Sequence, residues 1–114
     1  MTIAPTAKGA VRPEKLEEAV ARIIEGAHPW RILLFGSLAR GQAKSESDVD
    51  LLVIEEEAKD ASTEAARLYQ SLRDLPLNID LVVVAREKFE YWADTPGNVY
   101  YEAAQDGRSL YEAA

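Results

Sequence analysis

Three short apolar runs, each bracketed by stretches with helical spacing, constrain this chain more than any other feature. Arg31–Phe35, Asp50–Ile54 and Ile79–Ala85 have the length and apolar content of buried strands. Gly36 stops the first, and the third is rich in valine. Between and around them lie helical patterns. Pro13 suits a first helical turn. Leu16, Val20, Ile23 and Ile24 then share one helical face, and Gly26 and Pro29 end that helix. Leu38–Gln42 has room for one or two turns, and Lys44–Ser47 reads as polar loop. Ala65, Leu68, Tyr69 and Leu72 mark another amphipathic helix, closed before Pro76. Arg86–Ala93 is helical in pattern. Thr95-Pro96 predicts an N-cap with proline at the first helical position, and that helix runs to Gly107 as its C-cap. Leu110–Tyr111 is read as a short closing strand. This order predicts an α/β (α+β) fold, a small mixed sheet flanked by helices. Residues 1–12 are read as a flexible tail and 13–114 as a single domain.

Composition narrows the functional classes. At 114 residues without cysteine, the chain holds a core but no disulfide or thiolate metal site, which suits a reducing cytosol; a cytoplasmic location is expected. No apolar run approaches the ~20 residues that span a membrane, and the N-terminus lacks a signal-peptide pattern. Twenty acidic residues against 13 basic give a net charge of −7. No basic patch is visible, which argues against direct nucleic-acid binding.

The segment with chemistry is Gly36-Ser37-Leu38-Ala39-Arg40-Gly41, then six residues, then Asp48-Val49-Asp50. Gly-Ser directly after a strand and before a helical turn places backbone N–H groups and a hydroxyl where phosphate oxygens can be held. Glycine lets a ligand approach the backbone closely. Asp48 and Asp50 are two apart on a strand, so their carboxylates point to one face and can meet one metal. Mg²⁺ prefers such oxygen ligands, completed by substrate phosphates and water. A third acid, Asp80, opens the third apolar run, where a carboxylate is costly unless paired or metal-bound. For these groups to meet, the first two strands must run antiparallel. The third must run parallel to the second, and the helix-bearing segment Glu55–Asn78 is long enough for that crossover.

This pattern resembles the DNA polymerase beta-type nucleotidyltransferase superfamily, whose signature is Gly-Ser, a gap of ten residues and Asp-x-Asp. Ser37 and Asp48 have that separation. The fuller form GSLARGQAKSESDVDLLV is similar to the minimal nucleotidyltransferases, or MNT proteins. The resemblance implies that Gly36 and Ser37 bind the triphosphate, that Asp48 and Asp50 hold Mg²⁺, and that Asp80 shares a second Mg²⁺ and activates the attacking hydroxyl. Arg40 matches an arginine of the family's motif and is assigned to phosphate. The expected activity is transfer of AMP from ATP by in-line displacement, with two metal ions stabilising the attacking and leaving oxygens.

Little chain follows Asp80, so a partner is expected to supply the acceptor. The resemblance implies a HEPN-type toxin, neutralised by AMP transfer to a hydroxyl within a hetero-oligomer. A binding-only antitoxin, or nucleotidyl transfer to a small molecule or RNA, are the other readings. His28, the single histidine, is read as a loop residue. Trp30, Tyr91, Trp92, Tyr100 and Tyr101 are read as packing or interface residues, and Glu55-Glu56-Glu57 as solvated.

Overall fold

The computed structural model describes residues 15–40 and 48–113. The chain runs α1 (Leu16–Ala27), β1 (Arg31–Phe35), α2 (Gly36–Ala39), β2 (Asp48–Glu55), α3 (Ala61–Leu72), β3 (Asn78–Ala85), α4 (Arg86–Trp92), α5 (Val99–Asp106) and β4 (Arg108–Glu112). The strands form one sheet in the order β3-β2-β1-β4. β1 is antiparallel to both β2 and β4, whereas β2 and β3 are parallel. The mixed sheet expected from the motif geometry is therefore present. The tail and Pro13 lie outside the described residues, as do Lys44–Ser47.

Helices cover both faces of the sheet. On one face, Leu16, Ala19, Val20 and Ile23 of α1 and Leu68 and Leu72 of α3 pack on Ile32, Leu34, Leu51, Val53, Leu81 and Val83. On the other, Phe89 of α4 and Ala103 of α5 pack on Leu33, Phe35, Leu52, Ile54 and Val84. A strand covered on both sides needs apolar residues at every position. That is why Leu51-Leu52-Val53-Ile54 is an unbroken apolar run, each residue fully buried.

Local signals explain the helix ends, and two differ from the sequence expectation. α1 continues through Gly26 and closes at His28, whose backbone sits at φ 47° and whose N–H donates to the Ile24 carbonyl at 2.9 Å. His28, expected in a loop, thus caps the helix. α3 starts at Asp60, which accepts hydrogen bonds from the Thr63 N–H (3.1 Å) and hydroxyl (2.8 Å). α5 is capped by Asn98 rather than Thr95. Its Oδ1 accepts from the Tyr100 and Tyr101 amides, while its Nδ2 donates to the Thr95 carbonyl at 2.6 Å. Pro96 instead precedes Gly97, at φ 99°, in the turn leading to the cap. An asparagine cap satisfies two of the helix's orphan amides, which a proline inside the helix could not do.

Glu55 corrects another expectation. Instead of being solvated, it ends β2 at 6 % exposure, and its Oε2 is buried without a hydrogen-bond partner. Burial, followed by hydrogen bonding to Glu64 and the charge of that neighbour, pushes its carboxyl up to about 7. Burial also acts on Glu64, but hydrogen bonds from Glu55 and Arg67 outweigh it and hold Glu64 below the ordinary range. Arg67 lies beside both and also donates to the Gly26 carbonyl at 2.8 Å. Glu56, by contrast, pairs with Arg86.

Candidate active site

Strand pairing brings the acids together. Asp50 is the third residue of β2, and its partner across the parallel pair is Asp80 of β3. Residues directly opposite in register present side chains on the same face a few ångströms apart. Asp50 is half-buried and Asp80 exposed. With Asn78 and Ile79 they line an open hollow of about 240 Å³. Asp50 also pairs with Phe35, the last residue of β1. The antiparallel β1–β2 pair therefore places the turn after Phe35 beside the Asp50 carboxylate.

Gly36 makes that turn. Its φ is +76°, in the left-handed region, and a Cβ there would lie 2.4 Å from Asp50 Oδ2. Both its backbone conformation and its neighbour exclude a side chain. Ser37 follows in the single turn of α2, and Asp48 heads β2 opposite Asn78. The side chains of Ser37 and Asp48 lie outside the described residues. Among the described residues, no group of three acidic or histidine side chains gathers closely enough to hold a metal ion. The described part of the acid cluster is Asp50 with Asp80.

Arg40, assigned to phosphate from the sequence, donates from Nη1 to Glu102 Oε1 at 3.1 Å, tying α2 to α5. Tyr69 was read from the sequence as part of an apolar helical face. Its hydroxyl accepts from the Leu81 N–H at 2.7 Å and donates to Asp80 Oδ1 at 3.3 Å. A signal for this existed: a tyrosine on an apolar stripe brings a hydroxyl that needs a polar partner. The aromatics divide. Tyr91 and Trp92 are exposed and meet edge to face, whereas Trp30 is half-buried beneath the Arg86 guanidinium at 3.9 Å from the ring centre.

The fold and the site define a class: a mixed sheet whose parallel pair β2 and β3 carries neighbouring carboxylates beside a glycine turn. The nucleotidyltransferase domain family matches residues 13–106, and the chain belongs to that family. No curated protein matches the sequence. Among solved structures, the chain is similar to one described as the crystal structure of a toxin–antitoxin with AMP-PNP. That similarity has 20 % identity and a TM-score of 0.54, and covers 86 % of this chain and 74 % of the other. At that identity the likeness is one of fold.

Proposed function

We propose that this nucleotidyltransferase domain transfers AMP from ATP to a hydroxyl of a partner protein, and acts as the antitoxin of a HEPN-type toxin. The observation that carries the chemistry is the lateral pairing of Asp50 with Asp80 beside Gly36. The toxin–antitoxin role draws on the sequence resemblance and on the fold likeness to the AMP-PNP complex.

The donor set fits Mg²⁺. Two carboxylates side by side supply hard oxygen ligands, and the absence of a side chain at Gly36 lets the Asp50 carboxylate lie against the turn. Asp48 and Asp50 would hold one ion, and Asp80 would share the second. Bound Mg²⁺ neutralises triphosphate charge and stabilises the attacking and leaving oxygens. Gly36 and Ser37 hold the triphosphate, and Arg40, on release from Glu102, reaches a phosphate oxygen. Asp80 takes the proton of the acceptor hydroxyl as its oxygen attacks the α-phosphorus. The bond from that phosphorus to the bridging oxygen breaks, and pyrophosphate leaves. The exposed Tyr91–Trp92 pair provides the aromatic surface typical of a protein interface. None of the described helices is long and apolar enough to cross a membrane.

The test is mass spectrometry of the co-expressed partner, which should carry the added mass of AMP on a tyrosine. The double substitution Asp48→Asn, Asp50→Asn should still bind the partner yet leave it unmodified and toxic. If that variant neutralises toxicity as well as the parent, the protein acts by binding alone.

A further inference from the structure

We infer that Tyr69 is a positioning residue for Asp80, an inference that rests on the nucleotidyl-transfer reading. β3 is an edge strand, so its outward amides have no strand to pair with. The Leu81 N–H is met there by the Tyr69 hydroxyl, at 2.7 Å. A hydroxyl carries one proton to donate. With a lone pair occupied by the Leu81 amide, that proton is directed to Asp80 Oδ1 at 3.3 Å. The same hydroxyl thus reads the strand backbone and the carboxylate one residue before it.

The anchoring is firm at the other end. Tyr69 stands on α3 between Leu68, fully buried, and Leu72, 4 % exposed. α3 is the crossover that carries the chain from β2 to the parallel β3. The helix that sets Asp80 beside Asp50 therefore also supplies the group that restrains it. Asp80 is exposed at the sheet edge and would otherwise sample several rotamers. Partners that orient a ligating carboxylate contribute roughly 10–100-fold to metal affinity or activity. The 3.3 Å separation is long for a hydroxyl–carboxylate bond, so the effect belongs at about the tenfold end.

The experiment compares the full chain with Tyr69→Phe, Asp80→Asn and the double variant, all checked for folding by circular dichroism. Two quantities are read: Mn²⁺ affinity in the presence of AMP-PNP, by electron paramagnetic resonance, and kcat and KM for AMP transfer to the partner. Tyr69→Phe should weaken Mn²⁺ binding and lower kcat by about tenfold with KM for ATP little changed. Added to Asp80→Asn, it should have no further effect on Mn²⁺ affinity, because the residue acts through that carboxylate. A lowered melting temperature with Mn²⁺ affinity and kcat unchanged would reduce Tyr69 to a cap of the strand edge and overturn the inference. So would a Tyr69 effect that persists in full in the Asp80→Asn background, or AMP found on Tyr69 itself. If the parent chain binds Mn²⁺ with AMP-PNP but transfers nothing, the transfer reading fails while the metal arm still judges Tyr69. If the parent binds neither, both fail.

Discussion

Replacing Gly36 with alanine probes the junction of fold and site. At φ +76° an L-residue is disfavoured by roughly 1–2 kcal/mol. The new methyl would also lie 2.4 Å from Asp50 Oδ2 and 3.2 Å from its Cγ. The carboxylate must swing away, and an off-rotamer side chain adds about 0.5–1.5 kcal/mol. Together these predict a loss of about 2 kcal/mol. For a domain near 100 residues that lowers the melting temperature by roughly 10 °C. Urea unfolding of Gly36→Ala, Asp50→Ala and the double variant separates the two parts. With the carboxylate gone the clash vanishes, so the alanine should then cost only its backbone strain, about 1 kcal/mol. Nucleotidyl transfer by Gly36→Ala should fall by more than the stability loss explains, since Asp50 has moved. A Gly36→Ala protein as stable and active as the parent, or an equal loss with and without Asp50, would refute this account of the turn.

Glu55→Gln should flatten the dependence of stability on pH. The folded carboxyl titrates at about 7 against an ordinary 4.5, so the folded state binds the extra proton and stability falls as pH rises between those values. Glu64, held low, acts oppositely and loses its contribution only as pH drops below the ordinary glutamate range. The variant should gain about 1–3 kcal/mol relative to the parent on going from pH 5 to pH 8, read by urea unfolding; parallel curves would remove Glu55 as the cause. Asp60→Ala should destabilise by about 1 kcal/mol through loss of the α3 cap, with transfer activity retained, measured by thermal melts and the mass-spectrometric assay.

Much of this architecture was legible because burial on two faces leaves a plain mark. Leu51-Leu52-Val53-Ile54 is apolar without alternation since helices cover both sides of β2. The mixed strand directions were legible for a different reason: Gly36 and the acids at positions 50 and 80 can meet only in that arrangement. What stayed hidden was tertiary in origin. A proline after a threonine reads as a helix start, yet Asn98 provides the better cap once Pro96-Gly97 has turned the chain. Glu55 looks like one of three solvated acids, but the strand's last inward position belongs to it, and Glu64 and Arg67 lie across the sequence on α3. Tyr69 was visible as a helical stripe residue, while the partner of its hydroxyl depends on which strand edge α3 overlies.

The same packing that stabilises the sheet determines whether the acids meet. Leu81 and Val83 of β3 are claimed by the α1–α3 face, and Val82 and Val84 by the α4–α5 face. A shift of β3 by one residue against β2 would exchange these faces and turn Asp80 away from Asp50. Such a slip would move four apolar side chains into the wrong cluster, so the two cores hold the register. The closed register then sets Asp50 beside Asp80 on one flank and beside Phe35 on the other. Gly36 follows there, and its backbone, bare of a side chain, lies against the carboxylate. Substitutions in the β2–β3 core should therefore reach the site through register, without touching an acid.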